Sequence, residues 1–349
     1  MDLWQGAPDT GWEQAQELLE AQGLTDGLPV VPPTRARVEA MLAANGYAAE
    51  SVLCNLAPLF QPAVWRDVAI NAVMAGCLPD YLPVIGAALQ AMAADEFNLM
   101  GVTTTTGSAA PLIIVNGPVA ARIGMNCAAN ALGPGNRANA TIGRAISLCL
   151  RNIGGAIVGE TDMATLGQPA KYGCCFAENE AQSPWAPLHV ERGFAAGDSV
   201  VTAVGISGNV EVVDSASGKG AELAQTYAQS MLIAGTAAGS GMLGSGEPLM
   251  IVPPEQAETC ERDGYSKEKL KAAIYVRAVM TLDRLSPAVR EHLIGRRAGG
   301  ELGPVESPLR VAQKADDVMI VVAGGVGVKA CYVPGWGTSR TVSRLIAKR

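Results

Sequence analysis

Apolar residues follow two spacings along the chain. Helical spacing predicts helices over 12–21, 35–44, 65–76, 81–94, 137–152 and 222–234. Asp9 or Thr10 stands where a cap is needed for the first of these, Thr34 for the second and Asn136 for the fifth. Short continuous apolar runs over 249–252 and 318–323, and one ending at Val115, are bounded by glycine- or hydroxyl-rich loops and predict buried strands. The stretch 27–33, GLPVVPP, is extended, because a residue before proline avoids the helical region. The segment 126–195 has only one clean period, the helix from Arg137. After the glycine-rich turn at Gly337, a short helical tail is expected.

One string occurs twice. Residues 107–115, GSAAPLIIV, match 244–252, GSGEPLMIV, at six of nine positions without a gap. Each copy follows a helix and a Gly/Thr- or Gly/Ser-rich loop, and each leads to a proline turn and more helix. The expected fold is therefore α/β: two pseudo-repeated α-loop-β-α halves around mixed, partly parallel sheets. The expected division puts 1–200, including 126–195, in an N-terminal half and 201–349 in a C-terminal half.

Composition narrows the function classes. The chain has 349 residues with a formal charge of −7, too acidic for a broad grip on nucleic acid or anionic lipid. The charge-free stretches 97–121 and 223–246 are broken by Thr, Ser, Asn and Gly, so no membrane span is expected. The first ten residues lack a basic region followed by an apolar one, so no signal peptide is expected. Eight cysteines without a CxxC pair fit a reducing, cytoplasmic setting rather than a disulfide scaffold. A homo-oligomer is left open.

Four segments can carry chemistry. The literal GxGxxG at 239–244 has a helix before it and a strand after it, the reverse of a dinucleotide site, so no nicotinamide or flavin cofactor is expected. Gly244 and Ser245, like Thr104, Thr105 and Ser108 in the first copy, offer hydroxyls and backbone N–H groups to an anion. Asn136 and Arg137 open a helix whose free N–H groups and dipole favour an anion. Arg137, Arg144 and Arg151 recur every seven residues on one face; Arg144 joins the anion-binding set, and Arg151 reads as solvated. The irregular stretch 159–193 gathers Glu160, Asp162, Lys171, Cys174, Cys175, Glu178, Glu180, His189, Glu191 and Arg192. Glu160 and His189 suit acid–base work, Cys174 or Cys175 nucleophilic work, and Lys171 substrate binding. Cys174, Glu178 and His189 have no diagnostic metal spacing, so no metal is assigned.

The strings GLPVVPPT (27–34), ALGPGNRANATIGRA (131–145), GETDMATLGQPAKY (159–172), CFAENE (175–180), SPWAPLHVERGF (183–194) and PGWGTSRTV (334–342) resemble a widespread bacterial family. Some of its members are labelled thiol–disulfide oxidoreductases or UGSC-type selenoprotein relatives. The resemblance implies an enzyme and carries over no catalytic residue; this chain has neither C-G-S-C nor CxxC. The expected function is a lyase or hydrolase acting on a small carboxylate or phosphate substrate. A thiol oxidoreductase using Cys174 and Cys175 is the alternative, and a non-catalytic small-molecule or metal-binding protein the second.

Overall fold

The computed structural model describes residues 11–233, 235, 246–299 and 308–347. Its helices are α1 (Trp12–Ala21), α2 (Arg35–Ala43), α3 (Trp65–Ala75), α4 (Leu82–Met92), α5 (Leu99–Thr104), α6 (Pro118–Arg122), α7 (Arg137–Asn152), α8 (Leu188–Glu191), α9 (Gly220–Ser230), α10 (Pro254–Arg262), α11 (Lys267–Arg277) and α12 (Pro287–Ala298). Its strands are β1 (Val52–Leu56), β2 (Gln61–Val64), β3 (Ala110–Asn116), β4 (Cys175–Ala177), β5 (Val200–Ile206), β6 (Val210–Val213), β7 (Leu249–Val252), β8 (Val279–Met280), β9 (Leu309–Arg310), β10 (Met319–Val322), β11 (Lys329–Val333) and β12 (Val342–Leu345). The architecture is α/β with mixed sheets. Among the described residues, no helix is long and apolar enough to cross a membrane.

The chain forms two compact units, each built from separated stretches. The first takes 1–177, 189–204 and 341–349; the second takes 178–188 and 205–340.

In the first unit the sheet order is β12-β5-β3-β4, with β3 parallel to β4 and β12 antiparallel to β5. All seven residues of β3 are buried. The expected helical tail is instead β12: Val342 and Ser343 are buried, and pairing with β5 decides the conformation. Asn136 caps α7 as expected, its side chain accepting from the Asn139 N–H at 3.0 Å. Gly11 stands at the N-cap of α1; Asp9 and Thr10, the expected caps, lie outside the described residues. Thr34 occupies the N-cap of α2 but makes no side-chain cap bond. Helix α3 ends at Gly76, whose φ of +88° is a left-handed conformation that glycine adopts without strain. There the Gly76 and Cys77 N–H groups bond back to the Val73 and Ala72 carbonyls.

A close backbone approach seats the end of the irregular segment on α7. A Cβ at Gly143 would lie 2.9 Å from the Cys174 nitrogen, and one at Gly173 would lie 2.5 Å from the Arg144 nitrogen. Backbone meets backbone here, so no flexible side chain can yield.

In the second unit the sheet order is β10-β7-β11-β6, with β7 and β10 parallel and β11 antiparallel to both β7 and β6. Tyr227 of α9, Leu270 and Ile274 of α11, and Met250, Ile320 and Tyr332 of the sheet belong to its core. The 178–188 stretch is held by Glu178, which accepts from the Leu188 N–H, by Lys267 donating to the Ala186 carbonyl, and by Trp185 donating to Glu261. The two copies of the repeated string become β3 and β7, in different sheets. The GxGxxG stretch and the loop with Gly244 and Ser245 lie outside the described residues.

Replacing Gly143 with alanine forces α7 away from residues 173–174 and is expected to cost about 1–3 kcal/mol. The check is a lower urea midpoint for G143A; an unchanged midpoint contradicts the close approach.

Candidate active site

The three arginines of α7 fall on one face, as their spacing predicts, but each has a docking partner. Arg137 directs Nε and Nη2 to the Gly76 carbonyl, at 3.0 and 2.9 Å, and so closes the end of α3 rather than presenting its fork to a ligand. Arg144 grips Asp26 with both arms, Nε to Oδ2 at 2.9 Å and Nη2 to Oδ1 at 2.7 Å. It also donates to the Leu28 and Pro29 carbonyls. The Arg144 fork is thus used inside the fold, on the strand-like segment that its proline pattern keeps extended. Arg151 donates to the Gly23 carbonyl at 3.3 Å, and neighbouring Asn152 to the Leu24 carbonyl at 2.9 Å. The stripe read as solvated at Arg151 is therefore a clamp for residues 23–29.

Clamping that segment against α7 creates one wall of a cavity of about 760 Å³. All of its lining residues belong to the first unit. Glu20 and the 23–27 turn form one side, Ser147, Leu150 and Arg151 of α7 a second, and Val102, Thr103, Ala109 and Pro111 a third. The irregular stretch 156–172 covers the remainder, from Ala156 through Leu166 to Tyr172.

That stretch lacks periodicity yet is pinned by its own polar side chains. The Thr161 hydroxyl donates to the Gly155 carbonyl and accepts from the Ile157 N–H. The Thr165 N–H bonds the Thr106 carbonyl, and the Gln168 side chain bonds the Ser108 carbonyl. Asp162 accepts from the Ala164 N–H through Oδ1 and from Lys171 Nζ through Oδ2, the latter at 2.6 Å. Lys171 and Asp162 both line the cavity, with side chains 23 % and 13 % exposed. An ion pair so shielded from water is stronger than a surface pair.

The other predicted site residues are distributed as follows. Thr104 spends its hydroxyl on the Met100 carbonyl, and the Thr105 hydroxyl accepts from the Gly107 N–H. Neither they nor Ser108 line the cavity; Thr103 does. Asn136 uses both ends of its amide inside the fold, at Asn139 and at the Gly124 carbonyl. Glu160 is exposed in the turn after Gly159, off the cavity wall. His189 is fully buried in α8. Cys174 is partly buried, and Cys175 is buried on β4 beside Ile113. Neither cysteine lines the cavity, nor does His189. Of the described residues assigned a role from sequence, the cavity gathers only Lys171; Asp162, gathered with it but given no role, also lines the cavity, and Arg151 and Asp26 are additions. The signal for Arg151 was the seven-residue arginine spacing; Asp26 carried none in the sequence.

Burial pushes the Cys175 and Cys149 thiols well above the ordinary value and Cys77 up to about 12. All eight cysteines are among the described residues, and none is in a disulfide. Among the described residues, no group of three His, Cys, Asp or Glu side chains is arranged to hold a metal ion. No protein-family model, curated protein or solved structure matches the chain.

Burial of Asp26 opposes its ionisation, but the Arg144 bonds and charge, with backbone donors, outweigh it and hold the carboxyl below 3.8. A lowered folded value means stability that is fully present above the unfolded carboxylate range and lost as pH falls through the folded value. Because the pair is partly exposed, D26N is expected to cost about 1–2 kcal/mol at pH 7. In paired denaturation curves, that penalty shrinks as pH is lowered below the ordinary carboxylate range; a penalty constant down to strong acid contradicts the clamp. Peptide mass mapping after brief native alkylation at pH 8 is expected to find Cys149 and Cys175 unlabelled, and full labelling only after denaturation. Rapid native labelling of Cys175 contradicts the thiol assignment.

Proposed function

We propose that the protein is an enzyme acting on a small anionic molecule by acid–base catalysis, in the lyase or hydrolase class, with its substrate in the cavity of the first unit. The observation that carries this reading is the Lys171–Asp162 pair on the cavity wall, 2.6 Å apart. Elimination and hydrolysis both take a proton from one atom and give one to another. A cation that donates, held by a carboxylate that accepts, supplies both ends of such a transfer. Lys171 is the group that meets the substrate oxygen on which negative charge develops. Asp162 is anchored by the Ala164 N–H, which fixes its carboxylate as Lys171 shifts toward the substrate. The mostly apolar surround strengthens this charge pairing relative to water.

The residues of 159–193 suit acid–base and cysteine routes alike. The acid–base route is favoured because the Cys175 thiol is buried and held in its neutral form. Its residues also change: Lys171 and Asp162 line the cavity, whereas Glu160 and His189 do not. A cytoplasmic, reducing setting is part of the proposal, supported by eight cysteines without a disulfide.

The test is turnover of a panel of carboxylate and phosphate esters and β-substituted acids by wild type and K171M. Removing the proton donor is expected to lower kcat by about 10²–10⁴-fold while KM changes little. Turnover by K171M equal to wild type overturns the reading.

A further inference from the structure

We propose that the cavity takes a monocarboxylate with an apolar body, in preference to a phosphate ester or an inorganic anion. The proposal rests on the reading of this cavity as the substrate site and adds the substrate class.

The first argument is charge. Asp26 is neutralised by Arg144, and Asp162 by Lys171. That leaves Arg151 and Glu20 among the charged lining residues, and Glu20 is exposed to solvent, where its field is screened. Arg151 is different. Its Nε is shielded from water without a hydrogen-bond partner, and its contact through Nη2 is a long one to a neutral carbonyl, at 3.3 Å. Among the described residues, no carboxylate lies within ion-pair distance of it. A guanidinium at a cavity wall without a counter-charge is open to a carboxylate, which its Nη groups can meet with charge-assisted hydrogen bonds. One uncompensated cation matches one negative charge. A phosphate monoester brings nearly two, and the second would have to displace a carboxylate from Lys171 or Arg144.

The second argument is the remaining surface. Val102, Pro111 and Leu150 line the cavity, and at its edge Val158 and Leu166 are 76 % and 92 % exposed. Two aliphatic side chains left in water beside a cavity gain only when an apolar group covers them. A cavity of 760 Å³ is far larger than an inorganic anion needs and falls in the range of organic ligands. Carboxylate at Arg151 and apolar body toward Leu166 satisfies both ends.

The experiment is calorimetric titration of the full chain with octanoate, octanol, octylamine, octyl phosphate, acetate and inorganic phosphate. Octanoate is expected to bind at least about tenfold more tightly than each of the others. R151M is expected to weaken octanoate by about tenfold or more, and R151K, which keeps the charge but not the fork, by less. L166S weakens octanoate and leaves acetate unchanged. Octyl phosphate or inorganic phosphate binding as tightly as octanoate overturns the substrate class, as does octanoate affinity that ignores both R151M and R151K, or no octanoate binding at all. These readouts do not use turnover, so the carboxylate class can fail while Lys171 catalysis stands, and the reverse.

Discussion

The Arg144–Asp26 pair is the constraint on which the candidate site depends. The segment 23–29 has no regular structure, and two prolines follow it closely. It has few ways to satisfy its own carbonyls, so they must be met from elsewhere. Helix α7 meets them from one face: Arg144 takes Leu28, Pro29 and the Asp26 carboxylate, Arg151 takes Gly23, and Asn152 takes Leu24. On the same side of the chain, Gln16 of α1 closes a two-bond ring with the backbone of Val30. A loop is thereby turned into a wall.

The wall opposite is an irregular stretch stabilised by the opposite device. Residues 156–172 are held by short-range bonds from Thr161 and Asp162 and by the reach of Gln168 to the Ser108 carbonyl, and their end is fixed by glycine-to-glycine contact with α7 at 143 and 173. Both walls therefore refer back to one rigid helix. Catalytic and binding side chains need such support, because a group displaced by about 1 Å loses much of its effect. The pairing of Asp162 with Lys171 belongs to the same economy of charges: Asp26 and Asp162 are neutralised in place, and of the two cations that line the cavity, Lys171 has a carboxylate partner and Arg151 has none.

Much of the local structure was legible in the chain. Asn136 capping α7, the helix expected over 65–76 and the buried runs that became β3, β7 and β10 all follow from near neighbours. The α/β class followed from their alternation. What was not legible depends on partners far away in sequence. The seven-residue arginine spacing was visible, but Asp26 lies 118 positions before Arg144, so the stripe read as an anion site and a solvated edge. The C-terminal tail became a strand because β5, more than a hundred residues earlier, offered an edge. Hydroxyls misled for a different reason: Thr104 and Thr105 satisfy their own backbone, a use that competes with any ligand. His189 was singled out by chemistry alone, and burial removes it from the cavity wall. Lys171 survived because its segment, judged irregular and polar, does line a cavity.

Amide hydrogen exchange on R144M tests the clamp most directly. The account predicts faster exchange at Leu28, Val30 and Val31, whose N–H groups bond Asp26, Gln16 and the Met74 carbonyl, while the amides of α7 keep wild-type protection. Wild-type protection at those three positions would mean that the segment holds itself in place, and that α7 does not build the cavity.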